Sequence, residues 1–481
     1  MQDLPFVGRD NELSALHDLT KKRVSSLAVI KGRRRIGKSR LVEEFAQKSN
    51  YKFLKFSGIP PHSQTTAQSE RDVFVQQLSI TLNLPQVSAN DWSNLFTFLA
   101  RETRVGKYVI LFDEISWMGS KDHDFLGKLK TIWDFELKKN PKLILLLCGS
   151  VSSWIENNIL ASTGFVGRLS LVLDLKELHA IECNQLLNHV GFPKIAYERF
   201  KILSVTGGIP RYLEEIKSDR LADENIKNLC FTQDGVLFRE FNDIFIDIFA
   251  KRSTLYQQIV TALVDGDKEF DAITAATKIG NNGHLSEHLN NLIKSGFISR
   301  DYTWKIKDGI QSTLSRYRLS DNYLRFYLKY IHKNQAKIIN QHFNNTSLTV
   351  LPGWQSIMGL QFENLVLNNR EFIWKKLNIY PEDIIVDNPY FQRQQIRANG
   401  CQIDYLIQTR MNILYACEIK FLKHPVSLGI MKSVQQKLTA FSLPRGFSIL
   451  PVLIHVGGVD DSVIDESYFS HIIDFTEIFS G

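Results

Sequence analysis

The chain has 481 residues, of which 44% are apolar and 11% aromatic. This composition excludes a disordered protein, and the length suits about two to four globular domains. A net charge of +7 permits a polyanionic partner without requiring one. Five scattered cysteines contain no C-x-x-C pair and predict neither a disulfide framework nor a cysteine zinc site. Without a secretory leader pattern or an apolar run of about 18 residues, we expect a cytoplasmic protein that does not enter a membrane.

The first informative stretch is Val29–Leu41, which contains the pattern G-x-x-x-x-G-K-S between an apolar run and a helical repeat of apolar residues. Gly32 and Gly37 let the backbone curl so that N–H groups and a helix N-terminus converge on phosphate oxygens. We therefore predict that Lys38 reaches the β- and γ-phosphates and that Ser39 ligates Mg²⁺. The alternative is a basic turn between a core strand and a core helix. The other predicted contacts in this loop are Arg33, Arg34, Arg35, Ile36 and Arg40.

A second apolar run, Tyr108–Phe112, ends in Asp113-Glu114. A buried parallel strand that delivers two carboxylates at its end suits phosphoryl transfer, with Asp113 holding Mg²⁺ through water and Glu114 polarising the attacking water. Taken alone, the pair is equally typical of a helix cap. A third run, Leu143–Cys148, is followed by Ser150, which can sense the γ-phosphate. The alternation of strands and helices through residue 175 predicts an α/β sheet covered on both faces.

These segments resemble the P-loop ATPases of the AAA+/STAND superclass that are often called archaeal-type ATPases. The motifs that carry the resemblance, in order, are FVGRDNEL, GRRRIGKS, VILFDE, LLLCGS, GFVGR and TGGIPRYLEEI. The resemblance implies that the segment from Phe6 to Glu12 borders the adenine, that Ser150 is a sensor and that Arg168 is a candidate arginine finger. It also places Pro210 in a lid over the nucleotide, with Arg211 a weaker candidate than Arg168. The predicted contacts in the adenine segment are Phe6, Val7, Gly8 and Arg9.

The middle of the chain is predicted to be helical up to residue 250 and then to form a winged helix. Its helices are expected at Leu255–Val264, Phe270–Thr277 and His284–Ser295, followed by a β-wing. Because the exposed residues of the third helix are mostly Ser, Glu, Asn and His, with only Lys294 basic, packing or partner binding is favoured over direct readout of DNA. The same helix contains H-x-x-E-H, which is a pattern of zinc proteases. The spacing of its leucines indicates a helix that packs into the winged helix, and this explanation is favoured over a zinc site.

The C-terminal segment contains Asp404, Glu418 and Lys420 on two neighbouring strands predicted by apolar patterning. Two carboxylates beside a lysine suit metal-dependent hydrolysis of a phosphodiester, with Asp404 and Glu418 as metal ligands. The arrangement resembles the PD-(D/E)xK nuclease superfamily, which implies that Glu363 is an upstream helix acid and that Gln435 is a further candidate. The alternatives are a structural remnant of that fold and an ordinary exposed ion pair.

The predicted fold class is α/β: a P-loop parallel-sheet ATPase core (1–177), a helical lid (178–250), a winged helix (251–325), a helical linker (326–350) and an α/β restriction-endonuclease-like domain (351–481). The predicted function is a Mg²⁺-dependent ATPase whose nucleotide cycle controls a nuclease-like tail acting on nucleic acid. The alternative is an ATP-driven regulatory or scaffolding switch whose tail only binds DNA or a partner protein. ATP and Mg²⁺ are the expected cofactors, DNA is a candidate partner, and self-association is a candidate property.

Overall fold

The computed structural model describes residues 5–62, 64–83, 85, 90–150, 152–192, 194–249, 253–278, 282–343, 345–394 and 399–480. These residues form two compact units, one of residues 5–177 and one from Leu178 onward. None of the helices in the described ranges combines the length and the apolar character that a membrane crossing needs.

The first unit alternates strands with helices. Its strands are β1 (Ser26–Lys31), β2 (Lys52–Ser57), β3 (Tyr108–Asp113), β4 (Leu143–Gly149) and β5 (Leu169–Asp174). Its helices are α1 (Asp10–Thr20), α2 (Lys38–Ser49), α3 (Ala67–Leu82), α4 (Trp92–Glu102), α5 (Ile115–Met118), α6 (Phe125–Phe135) and α7 (Ser152–Ile155), with a π-helical segment at Glu156–Leu160 and a 3-10 turn at Leu137–Lys139. Thr66 and Ser69 cap the first turn of α3 reciprocally.

The five strands form one parallel sheet in the order β2-β3-β4-β1-β5. Strands β1 and β4 are buried along their whole length, as expected from their uninterrupted apolar runs. Because parallel strands end at the same edge of a sheet, the segments that follow β1, β3 and β4 meet at its carboxyl edge. The phosphate loop, Asp113-Glu114 and Ser150 all lie in those segments, so the fold brings the predicted nucleotide residues together.

An aromatic core supports this edge from one face of the sheet. Phe56 and Phe74 stack with their ring centroids 4.6 Å apart, and Phe112 lies edge-on to both. Phe112 is fully buried and directly precedes Asp113. Each such pair contributes about 0.5–1.5 kcal/mol beyond simple burial. The backbone that carries Asp113 is therefore held by a densely packed cluster.

The second unit begins with helices and ends with a mixed sheet. Its helices are α8 (Ala180–His189), α9 (Ala196–Thr206), α10 (Pro210–Leu213), α11 (Ala222–Cys230), α12 (Val236–Phe249), α13 (Ser253–Ala262), α14 (Phe270–Thr277), α15 (Asn282–Lys294), α16 (Asn322–Phe326), α17 (Gln335–Ile339), α18 (Trp354–Leu367), α19 (Arg370–Lys376), α20 (Gly429–Ala440) and α21 (Asp461–Asp465). Its strands are β6 (Ile298–Trp304), β7 (Gln311–Leu319), β8 (Ile384–Gln392), β9 (Cys401–Thr409), β10 (Ile413–Lys420), β11 (Ser448–His455) and β12 (His471–Asp474). Short π or 3-10 segments lie at Tyr327–Ile331, His332–Asn334, Leu348–Val350, Pro381–Asp383 and Phe475–Phe479.

Helices α13, α14 and α15 precede the antiparallel hairpin β6–β7, so three helices and a hairpin stand where the sequence predicts a winged helix. The second sheet has the order β12-β11-β10-β9-β8. In this sheet β8, β9 and β10 pair antiparallel, whereas β10, β11 and β12 pair parallel. The α/β fold class is thus confirmed: a parallel five-stranded sheet forms the first unit, and a separate mixed sheet closes the chain.

The hairpin and the second sheet share a hydrophobic core. Trp304, at the end of β6, packs with Ile403 and Leu406 of β9. Its indole N–H donates to the side-chain oxygen of Gln408 at 2.6 Å, and the amide of Gln408 donates in turn to the carbonyl of Ile306 at 2.8 Å. Since these contacts are buried, the hairpin is an integral part of the C-terminal fold.

Candidate functional site

The phosphate loop requires glycine at two positions. Gly32 has φ +149°, and a Cβ there would lie 2.6 Å from the carbonyl oxygen of Leu175, so no side chain fits. Gly37 has φ +93° and directly precedes α2. The loop therefore ends at a helix N-terminus, where N–H groups are directed at the position of a phosphate.

Lys38, the first residue of α2, is folded back onto the loop. It is buried, and its ammonium donates to the carbonyls of Gly32 at 2.9 Å and Arg33 at 3.0 Å. Burial lowers the pKa of Lys38, although the nearby Glu114 opposes this shift. A bound phosphate group would supply the counter-charge that the buried ammonium needs, so the loop fits a nucleoside triphosphate.

The loop and the second motif meet at Ser39 and Asp113. The Ser39 hydroxyl donates to Asp113 Oδ2 at 2.6 Å. A hydroxyl and a carboxylate at one point are hard oxygen donors of the kind that Mg²⁺ prefers. The ammonium of Lys55, on β2, lies 3.6 Å from the same oxygen and also contacts Glu43 at 3.0 Å. No sequence pattern predicts Lys55 at this site, because only the pairing of β2 with β3 brings it to Asp113.

Glu114 is fixed by Ser150. Its Oε2 accepts from the backbone N–H of Ser150 at 3.0 Å and from the hydroxyl at 2.8 Å. The backbone of Glu114 is left-handed, with φ +50°, a conformation that is costly for a residue with a Cβ and that is typical of functional sites. The sequence predicts both residues, and the structure joins their side chains directly.

The remaining loop residues make contacts within the first unit. Arg33 is buried and pairs with Glu177 at 3.2 Å, while Arg34 lies 5.8 Å from the ring centroid of Trp117. Arg35 has φ +66°, which helps the loop to turn. The predicted contacts that are half-buried in and beside the loop are Arg34, Arg35, Gly37, Ser39 and Arg40, whereas Gly32, Arg33, Ile36 and Lys38 are buried.

The segment before α1 is tied to the loop by Arg9. Its guanidinium donates to the carbonyl of Ile36 at 3.3 Å and to that of Lys176 at 2.6 Å. Phe6, Val7 and Gly8 are half-buried next to it. Arg9 thus joins this segment to the phosphate loop, which suits its predicted place near the base of a nucleotide.

Arg168 has a partner within its own unit. Its Nε lies 3.0 Å from Asp134 Oδ1 and its Nη2 lies 2.9 Å from Oδ2, so the contact is bidentate. Arg168 lowers the pKa of Asp134 to about 2, mainly through this hydrogen bond. Pro210 is the first residue of α10 in the second unit, where Arg211 pairs with Glu214 and Glu215 of the same segment. The nucleotide roles of Arg168, Arg211 and Pro210 stay predictions.

In the C-terminal sheet, the structure brings Asp404, Glu418 and Lys420 together. Asp404 Oδ2 accepts from the backbone N–H of Ile419 on the neighbouring strand at 3.0 Å. Lys420 donates to Glu418 Oε1 at 2.6 Å. The sequence analysis missed Lys437 of α20, whose ammonium lies 2.6 Å from Glu418 Oε2 and 3.5 Å from Asp404 Oδ1.

The pKa values of Asp404 and Glu418 shift in opposite directions. Burial, reinforced by the charge of Glu418, raises the pKa of Asp404. Burial also acts to raise the pKa of Glu418, but Lys420 and Lys437 outweigh it and lower that pKa. Glu418 is therefore the carboxylate that stays ionised, and Asp404 is the one that takes up a proton first.

Glu363 lies on α18 and lines a cavity of about 30 Å³ together with Asp404, Arg318 and Arg325. Burial and the charge of Asp404 raise the pKa of Glu363 to about 8, against the opposing effect of the two arginines. Arg325 is fully buried, and its Nη2 donates to the carbonyl of Leu319 at 2.5 Å. The three predicted acids and Lys420 therefore occupy one region of the fold.

Two other sequence candidates lie elsewhere. Gln435 is exposed on α20, whereas Lys437 of the same helix contacts Glu418. His288 of the H-x-x-E-H pattern is buried, with its Nδ1 3.1 Å from the Tyr256 hydroxyl. In the ranges described above, no three His, Cys, Asp or Glu side chains are grouped so that they could hold a metal ion.

Comparison with known proteins identifies the N-terminal part of the chain. A family model described as an ATPase domain predominantly from Archaea matches residues 6–216. These residues are therefore similar to the ATPase domains that this family model describes. The match includes the phosphate loop, Asp113-Glu114, Ser150 and the segment that contains Pro210, so it covers the motifs on which the sequence resemblance rests.

Other similarities extend beyond the ATPase domain. The chain is 26% identical over 383 residues to an uncharacterized protein of Methanocaldococcus jannaschii, which covers 78% of this chain and 79% of that relative. It is similar to a Walker-type ATPase of Pyrococcus abyssi (TM-score 0.48, 16% identity, 67% of this chain and 96% of the other). It is also similar to the ORC2 protein of Aeropyrum pernix (TM-score 0.45, 14% identity, 70% and 97%). Because both TM-scores lie below 0.5, we infer no function from these two structures.

Proposed function

We propose that the ATPase domain binds ATP together with Mg²⁺ and hydrolyses it. The observation that carries this proposal is the contact between Ser39 and Asp113 at 2.6 Å, which brings the phosphate loop and the acidic strand end to one point. Mg²⁺ would neutralise charge on the phosphates when it is bound by these two residues. Lys38 would exchange its loop carbonyls for phosphate oxygens.

Glu114 is the residue that would orient and polarise the attacking water. Ser150 holds its carboxylate at the carboxyl edge of the sheet through two hydrogen bonds, so the base has a defined position before the substrate binds. The left-handed backbone of Glu114 is a local strain that the surrounding core maintains. These features support a catalytic role for Glu114 over the simple helix cap.

Two substitutions separate binding from chemistry. Lys38→Ala is expected to abolish ATP binding, because the loop loses the buried ammonium that would contact the β- and γ-phosphates. Glu114→Gln is expected to keep ATP affinity within about threefold and to lower kcat by about 100-fold or more. Lys48→Ala, on the exposed face of α2, is the matched control and should leave ATP affinity and kcat unchanged. Hydrolysis at the parent rate in Lys38→Ala and Glu114→Gln would refute the proposal.

We further propose that the nucleotide cycle of the ATPase domain controls a C-terminal module that hydrolyses nucleic-acid phosphodiesters. The support is the convergence of Asp404, Glu418 and Lys420 on neighbouring strands, with Glu363 in the same region. A divalent cation held by Asp404 and Glu418 would activate water, and Lys420 would stabilise charge on the phosphate.

The test is a cleavage assay on supercoiled plasmid DNA with Mg²⁺ or Mn²⁺. The parent chain should nick or cut the DNA, and Asp404→Ala or Lys420→Ala should remove that activity while ATP hydrolysis survives. Lys432→Ala, on the exposed face of α20, is a control that preserves the charge cluster. DNA that stays intact with the parent chain and both metals would contradict the proposal.

One observation favours the alternative of a tail that only binds. All four oxygens of Asp404 and Glu418 are engaged by Lys420, Lys437 or the N–H of Ile419, so the pair is already neutralised by the protein. In that case the chain is an ATP-driven switch, and its C-terminal module binds DNA or a protein without cutting. Binding of DNA that is equal in the parent and in Asp404→Ala, with no cleavage in either, is the result that this alternative predicts.

A further inference from the structure

The ammonium of Lys437 lies where a cation shared by Asp404 and Glu418 would bind. It is 2.6 Å from Glu418 Oε2 and 3.5 Å from Asp404 Oδ1, so it bridges the two carboxylates. Lys420 takes the other oxygen of Glu418, and the N–H of Ile419 takes the other oxygen of Asp404. Each of the four carboxylate oxygens is therefore already in contact with a donor.

The position of Lys437 is fixed by the packing of α20. Val434, one turn earlier, is buried in a cluster with Leu453 of β11. The thiol of Cys401, on β9, donates to the backbone carbonyl of Lys437 at 3.2 Å, which joins the last turn of the helix to the sheet. These contacts direct the Lys437 side chain at the carboxylates, so its contact is a product of the fold and not of a chance surface pairing.

The ammonium and a divalent cation cannot share these oxygens. Mg²⁺ binds carboxylate oxygens at about 2.1 Å, and an ammonium at salt-bridge distance from the same oxygen would be repelled strongly by the second positive charge. Glu418 has a side chain only 5% exposed, which limits screening of that repulsion by water. A metal ion can enter only when Lys437 moves away.

A phosphate group can draw Lys437 away. The side chains of Lys420 and Lys437 are each 31% exposed, so an anion can approach their ammonium groups from solvent. Lysine carries its charge on a flexible four-carbon stem, and it can exchange one oxygen partner for another without a change in the backbone. A nucleic-acid phosphate would thus relieve the competition at the carboxylates and bring in the negative charge that a metal needs.

We propose that Lys437 is a built-in competitor of the metal, and that a divalent cation binds between Asp404 and Glu418 only when a nucleic-acid phosphate has displaced the lysine. This inference rests on the proposed hydrolytic function of the C-terminal module. It predicts positive coupling between metal and nucleic acid, and the coupling must be reciprocal. Lys437 is a positioning residue in this scheme, because it acts through the two carboxylates.

The test measures Mn²⁺ binding by electron paramagnetic resonance with the full chain and no nucleotide. Lys437→Met keeps the length of the side chain and removes its charge, and it should tighten Mn²⁺ binding about tenfold or more. Lys432→Met, on the exposed side of the same helix, is the matched control and should bind Mn²⁺ like the parent. Asp404→Ala identifies the fraction of Mn²⁺ that is bound at other sites. A short DNA duplex should tighten Mn²⁺ binding in the parent but not in Lys437→Met, after subtraction of Mn²⁺ bound by DNA alone.

Equal Mn²⁺ affinity in the parent and in Lys437→Met would overturn the inference, as would an equal gain in Lys432→Met. The proposed hydrolysis is judged separately by the plasmid assay. Tighter Mn²⁺ binding in Lys437→Met with intact DNA throughout would refute hydrolysis and leave the inference standing. Cleavage by the parent, with equal Mn²⁺ affinities in the parent and in Lys437→Met, would support hydrolysis and refute the inference.

Discussion

Arg168→Ala removes a bidentate contact inside the first unit. The Arg168 guanidinium bonds both oxygens of Asp134, at 3.0 and 2.9 Å, and the two side chains are 29% and 16% exposed. Arg168 is also the candidate arginine finger, so its replacement tests two roles at once. If the contact is structural, the variant loses stability; if the residue is a finger, it loses turnover.

We expect the structural loss to be about 1 kcal/mol, the upper end of the range for ion pairs in contact with solvent. The lowered pKa of Asp134 would by itself suggest more, but water screens the pair and Lys130 remains 3.1 Å from the same carboxylate. A carboxyl with a depressed folded-state pKa stabilises the protein above its unfolded pKa, near 3.8. The stabilisation is lost as the pH falls toward about 2.

The assay is urea unfolding of the parent and Arg168→Ala at several pH values. The difference in the free energy of unfolding should be constant from about pH 8 to 5 and should shrink below about pH 4. Arg101→Ala is the control. Arg101 is 70% exposed, pairs with its neighbour Glu102 and lies 4.8 Å from the ring centroid of Phe98, so the variant should lie within about 0.5 kcal/mol of the parent. A difference of zero at pH 7, or one that grows as the pH falls, would refute the structural reasoning.

Three further predictions concern the two units. If Arg168 acts in trans, ATP turnover requires self-association. A mixture of Arg168→Ala with Lys38→Ala chains should then regain part of the ATPase activity. No recovery, or full activity in a strictly monomeric chain, would count against a role in trans. Ser150→Ala should keep ATP affinity within about threefold and lower kcat about tenfold, because Glu114 loses both orientation and a hydrogen-bond partner; an unchanged kcat would show that Ser150 does not position the base. The folded-state pKa of Glu363, about 8, lies above the ordinary value of 4.5, so the folded chain binds this proton more tightly and stability should fall from about pH 5 to 8. Glu363→Gln should flatten that part of the stability profile, and an unaltered slope would contradict the assignment.

The residues of the nucleotide site were predictable because each belongs to a local pattern. The phosphate loop needs glycine in strained positions, and Asp113 and Glu114 end an uninterrupted apolar run that must be a buried strand. The rule that parallel strands end at one edge then places Ser150 beside them. The hydrogen bonds from Ser150 to Glu114 depend on side-chain geometry, and the structure adds them to that topology.

The residues that the sequence did not reveal depend on tertiary packing. Lys437 lies on a helix that is docked on β9 and β10, and no spacing in the chain distinguishes it from the exposed Gln435. Lys55 reaches Asp113 only because β2 pairs with β3. Asp134 carries no motif, so its bidentate contact with Arg168 could not be anticipated. Lysines, glutamines and aspartates are common on surfaces, and their type alone predicts no partner.

We propose that ATP turnover at Glu114 controls an activity at Asp404. One measurement tests it directly: the initial rate of plasmid nicking with Mg²⁺, with and without ATP, in the parent, Glu114→Gln and Asp404→Ala. We expect the parent to nick DNA several-fold faster with ATP, Glu114→Gln to lose that stimulation, and Asp404→Ala to be inactive in both conditions. Nicking by the parent that is the same with and without ATP, or that persists in Asp404→Ala, would contradict the account.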